Sequence, residues 1–191
     1  MNKSEWIRLD RVRNYSIWYT NNYNYNSSDK TIEISQESYK NGEQPIKFFI
    51  LVYNHLTQES WIACFSESHF GSTFRSFLIW LKKKVLCSYV NNCIFFNDLN
   101  TGKSINNIVF NEDFYIDDIL LHNQHDILVL STSQSLYAYN GPNDLRWKLL
   151  DISIDGIQFI DYTNETITVQ CFDPPEDISL CIIDILRGKI L

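Results

Sequence analysis

Glycine and proline are scarce in this chain, six and four among 191 residues, which excludes a collagen-like or low-complexity polymer. Long apolar runs are missing too: no segment approaches the roughly 18 residues that a membrane-spanning helix requires. Charges in the opening MNKSEWIRLD stand where a leader peptide would carry its apolar stretch. These absences predict a soluble, cytoplasmic protein. There is no C-x-x-C pair and no two cysteines are adjacent. Cys64, Cys87, Cys93, Cys171 and Cys181 are odd in number and sit among apolar residues, as buried reduced thiols do. Cations are in deficit, with 16 Lys and Arg against 23 Asp and Glu, a net charge of −7 and a pI near 5.0. That balance argues against nucleic acid and anionic membranes as direct partners, because phosphate contacts demand Lys and Arg.

What the chain has in quantity is hydrophobic and aromatic residues, 45% and 15%, including 12 Phe, 11 Tyr and 5 Trp. Flat and β-branched side chains pack well on a pleated surface and favour strands. The strands repeat. Tyr53-Asn54, Phe96-Asn97 and Tyr139-Asn140 are spaced by 43 residues, and one further step lands on Ile182-Ile183. LVYNHLTQES, IFFNDLNTGK, YAYNGPNDLRW and LCIIDILRGK therefore read as one hairpin used four times. A period of this length with strand-like contents marks a β-propeller or related array of blades.

The predicted fold is all-β: about four repeats of a 43-residue antiparallel blade, forming a small or partial β-propeller. It is read as a single domain, 1–191. Residues 10–76 form an irregular first blade with an N-terminal strand, and 77–113, 114–155 and 156–191 form regular blades. In the usual A-B-C-D strand order, the first blade takes Tyr15 to Thr20 as A, Thr31 to Ser35 as B, Ile46 to Asn54 as C and Ser60 to Phe65 as D. That leaves Trp6 to Leu9 as an extra strand or arm, with NNYNYNSSDK and ESYKNGEQP as loops. Phe74 to Lys84 is the best helical candidate by apolar spacing, but its place in the repeat favours a strand.

The turn Asp98-Leu99-Asn100-Thr101-Gly102-Lys103 resembles the D-x-x-T-G-K turn of the quinoprotein-like (PQQ-type) propeller repeat. Leu136-Tyr137-Ala138-Tyr139 followed by Trp147 is similar to that repeat's strand and closing tryptophan. Asp184-Ile185-Leu186-Arg187-Gly188-Lys189 keeps the Asp and the Gly-Lys but has Arg where that repeat has Thr. The resemblance covers residues 77–191 well and 10–76 loosely. It implies architecture and no enzymatic function, since the vicinal disulfide that the quinone-dependent dehydrogenases use has no counterpart here. No cofactor is expected.

Residues arranged for chemistry are few. His122 and His125 are the only histidines close enough to share a metal, and the further ligands of a zinc site are wanting; they read as a polar turn. No nucleophile elbow or glycine-rich phosphate loop occurs. The carboxylate pairs Asp117-Asp118 and Glu112-Asp113 lie in adjacent strand positions, where one of each points to solvent.

Charge sorts more informatively. The B–C and D–A loops emerge on one face of a propeller and collect Glu67, Glu112, Asp113, Asp155, Asp173, Glu176 and Asp177, with no Lys or Arg from Lys84 onward. The other face collects Lys82, Lys83, Lys84, Arg146, Arg187 and Lys189. An acidic face steers a basic ligand; the competing reading is that loops are charged in any case. The expected function is a non-enzymatic, bacterial protein-binding module. By general character it resembles bacterial toxin-immunity proteins, which are small and acidic, and the resemblance implies an inhibitor of a basic nuclease toxin. Glu112, Asp113, Asp173, Glu176 and Asp177 are the first candidates for that contact. The alternative is a lectin-like or small-ligand-binding propeller using aromatics such as Trp18, Tyr23, Tyr25 and Tyr39.

Overall fold

The computed structural model describes residues 7–20, 30–35, 46–67, 77–90, 92–110, 115–173 and 177–191. Among these residues seventeen strands form four sheets. The first holds β1 (Ile7–Val12), β2 (Tyr15–Thr20), β3 (Thr31–Ser35), β4 (Ile46–Asn54) and β5 (Glu59–Glu67). The second holds β6 (Phe77–Trp80), β7 (Val85–Val90), β8 (Cys93–Asp98) and β9 (Ser104–Val109). The third runs through β10 (Ile116–His122), β11 (Ile127–Thr132), β12 (Leu136–Gly141) and β13 (Asp144–Leu149), and the fourth through β14 (Ile157–Tyr162), β15 (Thr166–Asp173), β16 (Asp177–Asp184) and β17 (Lys189–Ile190). The last three sheets are antiparallel meanders in chain order, as blades should be.

The first sheet is ordered β1-β2-β4-β5-β3. This corrects the strand assignment made from sequence. The innermost strand is β1, the segment left over in that reading, and Tyr15–Thr20 is second. Thr31–Ser35 lies outermost and pairs with β5 in parallel. The cause is connection length. A turn at Arg13-Asn14 joins β1 to β2 as a tight hairpin, whereas the long segments on both sides of β3 let it reach the far edge. The loop readings for NNYNYNSSDK and ESYKNGEQP fall almost wholly outside the described residues. Phe77–Trp80 is a strand, followed by a short 3₁₀ turn over Leu81–Lys83 that closes on Lys84 at φ 55°.

The 43-residue period holds as a mean, but the register is uneven. Tyr15 faces Asn54, Val85 faces Asp98 and Thr166 faces Asp184, while Leu128 opposite Tyr139 puts Asn140 in the same place. Those turn-opening residues are separated by 44, 42 and 44 residues. Equal steps therefore land one residue early at Asn97 and Ile183. A one-residue slip exchanges the two faces of a strand, so only the true register identifies which residues meet.

The core lies between sheets. Phe48, Ile50 and Val52 of β4 pack with Leu86, Val90 and Leu99 of the second sheet. Ile94 and Phe96 of β8 pack with Leu128, Leu130 and Tyr139 of the third. Leu136 and Ala138 of β12 pack with Ile167, Val169, Cys171 and Ile183 of the fourth. All six residues of β7 and of β11 are buried, because those strands are covered on both faces. Among the described residues no core cluster joins the fourth sheet to the first.

Two of the three junctions share a latch. Trp61 of β5 donates its indole N–H to the Leu99 carbonyl at 3.0 Å, and Trp147 of β13 donates to Ile185 at 2.8 Å. Each ring lies on a glycine in the left-handed region, Gly102 at φ 73° and Gly188 at φ 62°. A Cβ at Gly102 would meet the Trp61 ring at 2.6 Å, and one at Gly188 would meet Trp147 at 2.5 Å. Only glycine fits both the backbone and the ring. Asp98 and Asp184 shape these turns: the Asp98 carboxylate accepts the backbone N–H groups of Asn100 and Thr101, and Asp184 accepts those of Leu186 and Arg187. At the junction of the second and third sheets the equivalent bond is a side-chain amide, from Asn106 to the Pro142 carbonyl at 2.7 Å.

Candidate protein-binding face

The loop end bearing the predicted acids is best described around the third and fourth sheets. The 150–156 loop is tied to the end of β15. Ser153 Oγ donates to the Gly156 and Phe172 carbonyls at 2.7 and 3.0 Å, and Asp155 N–H bonds the Phe172 carbonyl at 2.9 Å. Asp173 accepts the Ile154 N–H at 2.8 Å. Asp155 is exposed and Asp173 half-buried, so both carboxylates are held on a fixed backbone facing solvent.

Of the remaining predicted residues, Glu67 closes β5 and Asp177 opens β16 directly across from Asp173. The side chains of Glu67 and Asp177 are not among those described. Glu112, Asp113 and Glu176 lie outside the described residues altogether.

Two acids join this end that the sequence reading did not select. Asp117 sits in the bulge of β10 between Ile116 and Asp118, and a bulge re-aims a side chain. Its carboxylate reaches the next sheet and accepts the Ile157 N–H at 3.2 Å. Partial burial pushes the Asp117 carboxyl above its ordinary range, and Asp118 and Asp155 add to this by repulsion, against the lowering effect of the Ile157 bond. Asp151 stands exposed in the 150–156 loop at φ 56°. The alternation argument treated Asp117 and Asp118 as facing opposite ways, which a bulge invalidates. β13 ends at Leu149, which leaves Asp151 in the loop beyond it.

The opposite end carries both signs. Its cations include Lys82, Lys83, Lys84, Arg146 and Arg187, but Asp98, Asp126, Asp144, Glu165 and Asp184 stand among them. The two ion pairs between described residues, Lys83–Asp126 at 3.7 Å and Arg187–Asp184 at 3.0 Å, both lie there. Asp117, Asp151, Asp155 and Asp173 have no such partner among the described residues. Lys148, exposed on β13 one residue from the acidic end, and Lys47, across from Ser66 near the start of β4, keep this end from being wholly free of cations.

The other candidates have structural roles. His122 and His125 stack at 5.2 Å, and their Nε2 atoms bond the Thr163 and Asn164 carbonyls at 2.6 and 2.7 Å, tying the third sheet to the fourth. Among the described residues no three metal-ligating side chains converge. Cys64, Cys87 and Cys171 are buried, and burial pushes the Cys171 thiol up to about 12. Trp18 is half-buried against Tyr53 and the Phe49–Cys64 cluster, poorly placed for stacking on a sugar. Tyr23, Tyr25 and Tyr39 lie outside the described residues. Among the described residues no helix is long and apolar enough to cross a membrane.

No family model and no curated protein matches the sequence. Solved structures do. The chain is similar to the dihydro-heme d1 dehydrogenase NirN in complex with DHE, with a TM-score of 0.55 at 8% identity, over 78% of this chain and 33% of that one. A chain of the mitotic checkpoint complex gives 0.52 at 10%, over 76% and 44%. A eukaryotic initiation factor gives 0.50 at 13%, over 93% and 41%. This chain thus spans less than half the length of each. At such identities the likeness shows the fold alone: an all-β array of propeller-type blades.

Proposed function

We propose that this chain is a non-enzymatic binding module that docks a basic protein on its acidic end, acting as a cytoplasmic inhibitor of a nuclease-type toxin. The observation that supports the reading best is the separation of ion pairs. At the opposite end Asp126 and Asp184 pair with Lys83 and Arg187, whereas Asp117, Asp151, Asp155 and Asp173 have no cationic partner among the described residues. Rigid loops favour this use, because ordering them costs nothing further on binding. A field of one sign also speeds the encounter with a basic surface.

The test is co-purification of the chain with the basic product of a neighbouring gene, followed by affinity measurement over a salt series. A stoichiometric complex should weaken as salt rises. Asp155→Asn with Asp173→Asn keeps the acceptor atoms while removing two charges, and should weaken binding about tenfold, with a shallower salt dependence. Unchanged affinity in this double variant would sink the proposal.

A further inference from the structure

The end of the molecule opposite the acidic loops carries an inference that goes beyond this reading. A cleft of about 570 Å³ lies between β6, β10 and the turn that joins β1 to β2. Phe77 and Ile79 of β6 pack against the core between the first two sheets, and Ile119 and Leu121 of β10 against the core between the second and third. All four are only half-buried, and the flank of each that its core leaves uncovered lines the cleft. Volumes of about 300–1,000 Å³ with mostly apolar walls and a few polar groups suit small ligands.

The polar groups come from three turns at one end: Arg13 between β1 and β2, Lys82 between β6 and β7, and Asn123 and Asp126 between β10 and β11. Asp126 is already engaged. It accepts the Trp80 indole N–H at 2.7 Å and pairs with Lys83 at 3.7 Å. Arg13 and Lys82 are exposed, and neither has an acidic partner among the described residues. Lys82 donates to the Asn123 carbonyl at 3.4 Å, which leaves two of its three donors for a ligand. In a chain of net charge −7, two uncompensated cations beside apolar walls set the sign of the occupant. They repel an ammonium, and a wholly polar molecule would lose its hydration against Phe77, Ile79, Ile119 and Leu121 without gaining partners.

We propose that this cleft binds a small organic acid with an apolar body, of the kind of a medium-chain acyl carboxylate. Its hydrocarbon lies along β6 and β10, where it displaces water from apolar surface. Its carboxylate meets Arg13 and Lys82 in charge-assisted hydrogen bonds, the guanidinium offering a fork that matches the two oxygens. The 150–156 loop takes no part in this cleft, so a basic protein at the acidic end leaves it open.

Isothermal titration calorimetry with decanoate tests this, with decanol, decyltrimethylammonium and acetate as matched probes. One decanoate should bind per chain, about tenfold more tightly than decanol, while decyltrimethylammonium and acetate should give no measurable saturation. Arg13→Gln with Lys82→Gln alters exposed side chains. That variant, shown folded by circular dichroism, should bind decanoate about tenfold more weakly and decanol as before. Lys84→Gln removes a charge from the same turn as Lys82 but outside the lining of the cleft, and should leave the affinity within about twofold. Absence of saturable decanoate binding, equal affinity for decanoate and decanol, or a folded double variant that binds decanoate like the wild type overturns the assignment. None of these measurements involves the partner at the acidic end, so the two proposals fail separately.

Discussion

The first and third junctions between sheets are latched by tryptophan over glycine, and the second is not. Trp61 and Trp147 are 86 residues apart, as are Gly102 and Gly188, Asp98 and Asp184, and Asn54 and Asn140. The middle junction relies on Asn106 and on aromatic packing, with Phe96 near Tyr139 and Phe110 against Tyr137 at 4.8 Å between ring centres. Trp80 adds a bond across it to Asp126 at 2.7 Å. The difference teaches that the unit of repetition is a pair of blades. A latch needs both partners, an indole on one outer strand and a left-handed glycine in the next turn. The turn at Gly141-Pro142 offers no such glycine, so the second junction holds by other means.

Breaking a latch should have the largest effect. Trp61 is 1% exposed, and Trp61→Ala should cost about 3–5 kcal/mol through lost packing and the cavity left, measured by urea unfolding. A loss below about 1 kcal/mol would mean that the first junction does not depend on its ring. The middle junction should respond less. Asn106→Ala removes one side-chain hydrogen bond, worth about 1 kcal/mol, and an effect equal to that of Trp61→Ala would erase the contrast.

The smallest effect is expected at Asp117, which bridges the third and fourth sheets at the end away from the Trp147 latch. Its folded carboxyl is raised above the unfolded value, so its protonated form favours the fold. That contribution is present below the ordinary carboxylate range and lost as pH rises through the raised value. At pH 7 the ionised group weakens the fold slightly, and solvent screening keeps this to less than about 0.5 kcal/mol. Asp117→Asn should therefore melt about 1–2 °C higher at pH 7 and show no gain near pH 3. A lower melting temperature at pH 7 would show that the Ile157 bond needs the full charge.

Much of this fold was legible in the sequence. Alternation, turn residues and the spacing of the C–D hairpins were enough for four blades, and Asp98 to Gly102 marked a turn whose capping bonds are present. The strand order of the first sheet was not legible, because β3 is placed by a parallel pairing across a long connection, which no local pattern encodes. Equal steps of 43 hid the alternation of 44 and 42, and with it the 86-residue pairing. At the acidic end, Asp155 and Asp173 could be selected from loop position. Asp117 could not, since its direction depends on a bulge that shifts the register by one.

The paired latch also bears on how such a chain can lengthen or shorten over evolutionary time. A duplication or deletion of 86 residues carries whole latches with it. Removing the second sheet alone would leave Trp61 facing the Gly141 turn, with no left-handed glycine beneath it, and would strand a buried indole. Descendants of this gene should therefore gain and lose blades two at a time.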